Sequence, residues 1–343
     1  MFESYTIKDI AKALGVSTST VSRALKGSYE IGAETKKLVQ EYAEKVNYRP
    51  NPIALSLKDQ KSHSIGVVVC EVANDYFSQA INGIESIAYN LGYHVIITQT
   101  HESFDRETVN VQHLLSRHVD GLLVSLSAQT TDTSQYKYLH EKGFPIVFFD
   151  RVAPDINTHK VIANNFKGSF DATELLINSG FKKIAHLTSS NNLSITHERF
   201  DGFKAALDKH GLEFKPGYLK HCEHGGMIYD EIEFAVKALL AMDDRPEAIF
   251  IGADRLTINC VSILKKLGIK IPGDIALAGF TNSDVVELFD PPLTVVRQPA
   301  FQIGQMATEM LIKTIESKWP VEDFITERVD TELIARTSSK KLQ

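Results

Sequence analysis

The 343-residue chain contains no stretch approaching the roughly 18 apolar residues a membrane span needs, so no membrane partner is expected. Its opening, MFESYTIKDIAKAL, lacks the basic region followed by an apolar run that marks a secretory signal. Cysteine is scarce: Cys70, Cys222 and Cys260 are scattered and odd in number, which makes no disulfide framework and points to a reducing, cytoplasmic setting. The commonest hydrolase, nucleotide and dinucleotide signatures, G-x-S-x-G, the P-loop and G-x-G-x-x-G, are missing, so neither an enzyme nor a cofactor is expected. The string HCEH at 221–224 has ligand-type residues at a spacing that fits neither a zinc ribbon nor His-Glu-x-x-His, so no metal is expected. No low-complexity segment occurs, and the ending ARTSSKKLQ carries no leucine heptad.

What is present is a long, core-forming chain with an uneven charge distribution. Hydrophobic residues make up 43% of it, enough for two or three cores at this length. The net charge of -6 conceals a basic head: residues 1–61 hold 10 Lys and Arg against 7 Asp and Glu, leaving 27 against 36 in the other 282 residues. A small basic head on an acidic body is the pattern of a protein that meets a polyanion with the head alone.

Local signals divide the head into three helices. Thr6 and Asp9 read as a capping box before the apolar set Ile7, Ile10, Ala11 and Leu14, and Gly15 ends that helix. Ser17 then caps a second helix, closed by Gly27, whose inward face is Val21, Ala24 and Leu25. A third, roughly 33–46, buries Leu38, Val39, Tyr42, Ala43 and Val46. Two short helices across a glycine turn with a supporting third form a helix-turn-helix, which places its second helix in the major groove. That leaves Thr18, Ser19, Ser22 and Arg23 outward, with Arg23 able to donate twice to a guanine edge. In NYRPNPIALSLK, Asn51 caps a short helix ending near Leu57; six or seven residues are too few to be helical alone, so this hinge would form only against a partner.

After the linker the chain alternates β-rich apolar runs (SIGVVV, YHVIITQ, DGLLVSLS, FPIVFFD) with helical segments, and the rhythm restarts at KKIAHLTSS, EAIFIGAD and IALAGFTN. The expected fold is α/β: two doubly wound parallel-sheet lobes behind a small all-α head. We expect a helix-turn-helix domain at 1–49, a hinge at 50–64, and a body at 65–343 with lobes 65–160 plus 292–324 and 161–291 plus 325–343. Ligands in such sheets sit beyond the carboxyl ends of the strands. The residues found there are Asp150, Arg151, Asp254, Thr281 and Asn282, with Arg199, Tyr76 and Phe77 opening helices. Arginine donors, carboxylates and aromatic faces suit a polyhydroxylated or carboxylate-bearing small molecule.

TIKDIAKALGVSTSTVSRALKG, then NYRPNPIALSLK and SIGVVV, resembles the LacI family of bacterial transcription regulators, and the likeness covers nearly the whole chain. The resemblance implies a homodimeric repressor that binds a pseudopalindromic double-stranded DNA operator under control of a small effector, possibly a sugar or sugar derivative, held in a periplasmic-binding-protein-like body. It places Leu57 where relatives wedge the minor groove, and Arg199, Asp254 and Asp150 where relatives touch effector. Candidate DNA contacts are thus Thr6, Ser17, Thr18, Ser19, Ser22, Arg23, Lys26, Asn51, Ala54 and Leu57. Lys26 stands where many relatives have Asn, Leu55 where some have a basic residue, and Thr281 where sugar-responsive members often have Asp. A solute-binding protein without a DNA role is the alternative, opposed by the basic head and the missing signal.

Overall fold

The computed structural model describes residues 5–48 and 61–341. Contacts divide the chain into two compact units, 1–62 and 63–343.

The first unit holds α1 (Ile7–Leu14), α2 (Thr18–Leu25) and α3 (Ala33–Lys45). The capping box forms as the sequence predicts: Asp9 N–H donates to Thr6 Oγ1 (3.3 Å) and Thr6 N–H to Asp9 Oδ2 (2.8 Å). Gly15, at φ 65°, lets the chain leave α1 at once, and Ser17 Oγ accepts from Thr20 N–H (3.1 Å) to start α2. At the far end Gly27 adopts φ 71°, so that Ser28 N–H reaches Arg23 O (3.0 Å) and Gly27 N–H reaches Ala24 O (3.1 Å), a Schellman stop. Ile10, Ala11, Val21, Ala24, Val39 and Ala43 form the core. Leu38, expected inside, is 48% exposed, because it lies about 100° around α3 from the Val39–Ala43 stripe. The expected hinge helix lies outside the described residues.

The second unit contains β1 (Ser64–Val69), α4 (Asp75–Asn90), β2 (His94–Gln99), α5 (Phe104–Ser116), β3 (Gly121–Val124), α6 (Ser134–Glu141), β4 (Ile146–Phe149) and β5 (His159–Ala163). There follow α7 (Asn165–Asn178), β6 (Ile184–Ser189), α8 (Ser194–Lys209), β7 (Leu219–Cys222), α9 (Tyr229–Leu240), β8 (Ala248–Ile251), α10 (Asp254–Lys266) and β9 (Ala276–Phe280). The last elements are β10 (Thr294–Arg297), α11 (Ala300–Glu316), β11 (Thr326–Val329) and β12 (Glu332–Ile334). They build two six-stranded sheets, ordered β2-β1-β3-β4-β5-β11 and β7-β6-β8-β9-β10-β12. Every pairing is parallel except β10 with β12.

Each sheet is covered on both faces, which explains the unbroken apolar strands. Alternate residues of β1 show it: Ile65, Val67 and Val69 meet α4 and α11, while Val68 meets Val111, Leu114 and Tyr136 of α5 and α6. α4 and α11 cross in backbone contact, where a Cβ on Gly83 would lie 2.1 Å from Phe301 O and one on Gly304 2.1 Å from Ala80 O.

Strand membership differs from the expected lobe boundaries. β5 runs on to Ala163 in the first sheet, β10 belongs to the second, β11 returns to the first beside β5, and β12 returns to the second. The chain therefore crosses three times, after Ala163, after Arg297 and after Val329. The second of these crossings, after Arg297, lies between Pro291 and Pro299 and leads into α11. Among the described residues no helix is long and apolar enough to cross a membrane.

Candidate functional sites

In the head, the outward face of α2 carries exposed Thr18, Ser19, Arg23 and Lys26, with Ser22 half-buried. Its hydroxyls are linked at the start: Ser17 Oγ lies 2.7 Å from Ser19 Oγ and 2.8 Å from Thr20 Oγ1. Thr6 and Ser17, expected as DNA contacts, spend their hydroxyls on the caps of α1 and α2. Arg23 pairs with Glu30 at 2.8 Å, both largely in solvent. Asn51, Ala54 and Leu57 lie outside the described residues.

In the body, the carboxyl ends of both sheets face one narrow cleft, which holds about 40 Å³ of free space between the lobes. Six of the eight expected residues line it: Tyr76, Phe77, Asp150, Arg151, Arg199 and Asp254. Tyr76 and Phe77 open α4 and meet edge to face, ring centres 5.2 Å apart. Asn74 caps that helix through Phe77 N–H and donates its amide to Asp254 Oδ2 across the cleft (2.8 Å).

Two expected residues sit behind the lining. Thr281 Oγ1 donates to Asp254 Oδ1, so it braces the acid. Asn282 amide donates to Gln79 Oε1 (2.7 Å) and Gln298 O (2.8 Å), its side-chain Oδ1 accepts from Gln298 N–H, and its backbone carbonyl accepts from Gln79 Nε2, a clamp between the lobes. Both of its side-chain donors are thus spent inside the protein.

The electrostatics follow from burial. Arg199 donates to Asn165 Oδ1 (2.9 Å) and Gly252 O (2.6 Å) and lies 3.9 Å over the Phe280 ring, so it is rigid before anything binds. Burial lowers its pKa to about 10, partly offset by Asp150. Asp254 is pushed up to about 6, by burial above all, against the hydrogen bonds from Thr281 and Asn74. Asp150 is likewise raised by burial, opposed by Arg151 and Arg199. Burial disfavours the Arg151 cation, but the surrounding groups, Glu102 (2.6 Å from Nη1) foremost and Asp150 with it, together outweigh burial and hold the guanidinium charged.

The sequence reading missed Glu102, which sits just past β2 in a stretch without a strand-end acid motif. Glu102 Oε2 accepts from Arg151 and from Ala128 N–H (2.7 Å). His101 (φ 49°), Glu102 (φ 63°) and Asp150 (φ 58°) all hold left-handed backbone, which costs about 1–3 kcal/mol each and clusters at working sites. Asn74, Glu71, Arg255 and Gln298 also line the cleft unannounced. Among the described residues, three lining atoms, Tyr76 Oη, Arg151 Nε and Ser189 Oγ, are buried with no hydrogen-bond partner, although Arg151 Nε lies 3.7 Å from Asp150 Oδ2. The HCEH string serves its own loop, with Glu223 and His224 N–H donating to the Glu231 carboxylate.

Residues 6–51 match the family described as bacterial regulatory proteins, lacI family, and residues 173–339 match a periplasmic binding protein-like domain. The HTH-type transcriptional repressor PurR of Vibrio vulnificus (strain CMCP6) is 32% identical over 337 residues, covering 98% of this chain and 99% of its own. The chain belongs to the LacI family. Among solved structures, a LacI family transcriptional regulator from Enterococcus faecium with bound ribose is 27% identical (TM-score 0.69), matching 82% of this chain and all of its own. The lac repressor dimer bound to operator and an anti-inducer superposes with a TM-score of 0.82 over 99% of this chain and 100% of its own; at 22% identity it speaks for the fold. As a LacI family member the protein is a DNA-binding transcriptional repressor, not an enzyme, with a body built for control by a small molecule. A solute-binding protein without a DNA role does not fit a chain whose head matches the LacI family.

Proposed function

We propose that this repressor works as a homodimer and that its cleft takes an uncharged polyhydroxylated molecule, a sugar or a simple sugar derivative. The observation that carries the ligand class is the state of the lining. Three of its four acids already face its three arginines, through Glu102 with Arg151, Glu71 with Arg255, and Asp150 near Arg151 and Arg199, and the fourth, Asp254, accepts hydrogen bonds from Asn74 and Thr281. A charged ligand would unbalance that set in a buried site, whereas hydroxyls both donate and accept and so can satisfy Tyr76 Oη, Arg151 Nε and Ser189 Oγ. The Tyr76 and Phe77 rings offer an apolar wall for a sugar face.

On DNA, Thr18, Ser19, Ser22 and Arg23 meet bases or phosphates, Lys26 a phosphate, and Thr6 and Ser17 fix the helix starts that present backbone N–H groups. Asn51 and Ala54 place the hinge, and Leu57 wedges the minor groove. One short helix reads few base pairs, so two copies read a pseudopalindrome. Ligand shifts operator affinity only as far as it prefers one lobe arrangement over the other.

Calorimetry across neutral sugars, sugar phosphates and organic acids tests the ligand class. A neutral sugar that binds saturably and is recovered unchanged supports it; an acid or phosphate that binds more tightly than every neutral sugar sinks it.

A further inference from the structure

We propose that Glu71 and Arg255, with Gly225 as the point of clearance between them and Glu102, form a latch that sets how firmly the two lobes close. The proposal rests on the reading of the cleft as the ligand site for its purpose, while its parts are visible without ligand.

Glu71 follows β1 in the first lobe, and Arg255 is the second residue of α10 in the second lobe. Their side chains form an ion pair across the cleft rim, with only 14% and 33% of their surfaces exposed. The pair therefore sits in a partly dry site, where opposite charges attract more strongly than on open surface. It stands beside the Asn74–Asp254 hydrogen bond, which joins the same two elements.

The turn 225–226 enters from the second lobe between these groups. A Cβ on Gly225 would lie 2.5 Å from Glu102 Oε1 of the first lobe, and one on Gly226 would lie 3.3 Å from Arg255 Cβ. Both glycines have positive φ, 60° and 86°. One glycine thus lets the lobes meet at Glu102, and the next packs under the arginine that ties them together. Any side chain at 225 would act as a wedge, and loss of either latch charge would leave its partner unpaired at the rim. Because Glu71 and Arg255 neutralise each other, the latch adds closure without adding net charge to the site.

The test is single-molecule fluorescence energy transfer on the full chain without ligand, with dyes at Lys137→Cys and Asp208→Cys, one exposed site on each lobe. The native cysteines are buried and stay unlabelled. Arg255→Ala should raise the open-to-closed ratio roughly two- to fivefold, Arg255→Glu more, and high salt should do the same to the wild type. The reversed pair Glu71→Arg with Arg255→Glu should restore closure, which a merely structural role for either side chain would not do. Gly225→Ala should open the lobes at every salt concentration. An unchanged ratio in Arg255→Ala, or a reversed pair as open as the single reversal, overturns the latch; a closed Gly225→Ala overturns the clearance. If no sugar binds, the proposed ligand class fails while this ratio remains readable, so the two ideas fall separately.

Discussion

Removing the Glu30 carboxylate should tighten operator binding, because the arginine assigned to read DNA is occupied in the free protein. Arg23 Nη1 lies 2.8 Å from Glu30 Oε2, with 58% and 46% of the two side chains exposed. A pair that exposed is worth about 0.2–1 kcal/mol, and it must break in each head when Arg23 turns to a guanine. With two heads on one operator, as proposed, Glu30→Ala should gain about 0.4–2 kcal/mol, or roughly two- to thirtyfold in affinity. The assay is fluorescence anisotropy at one fixed salt concentration, using a duplex selected from a random pool. Loss of an acid near phosphates also helps nonspecific binding, so the same change is measured in an Arg23→Ala background. The gain should shrink there to the nonspecific part. A gain of equal size without Arg23, or no gain with it, would refute the reading role of Arg23.

Other consequences are equally open to measurement. Ile10→Ala, at a fully buried position, should cost the head about 2–5 kcal/mol, enough to unfold so small a unit; calorimetry should lose the head transition and keep that of the body. Arg199→Ala strands Asn165 Oδ1 and Gly252 O, so melting should show a loss of about 2–5 kcal/mol as well as lost ligand binding, with Arg199→Lys milder on stability. Asp254 has a folded pKa raised to about 6 from 3.8, so the folded state binds its proton more tightly and stability falls as pH rises from about 4 to 6. Melts of Asp254→Asn should therefore gain on the wild type across that window; a constant difference would mean that the acid does not titrate there.

The sequence was most legible where one short signal fixes one local event. The Thr6–Asp9 box, Ser17 and the glycines at 15 and 27 placed α1 and the reading helix α2 because caps and left-handed turns depend on neighbours within a few residues. Strand ends gave Asp150, Arg151 and Asp254, since the carboxyl edge of a parallel sheet is where helix starts and acids converge. Long-range pairing stayed hidden. Nothing near Asn282 announces Gln79, 203 residues away, which takes its amide away from the cleft. Glu102 depends on a left-handed bend and on Arg151 arriving from another strand. The lobe boundaries shifted for the same reason: β11 finds its place only through β5, and no local residue records that partner.

The most direct test of the account couples its two ends. A duplex selected from a random pool is titrated with protein while neutral sugars are added, in the wild type and in Arg199→Lys checked to be folded. The account predicts that one sugar shifts operator affinity in the wild type, and that Arg199→Lys binds the same duplex with the shift reduced or gone. A shift of full size in Arg199→Lys, or DNA binding that no small molecule in the panel alters, would contradict control through this cleft.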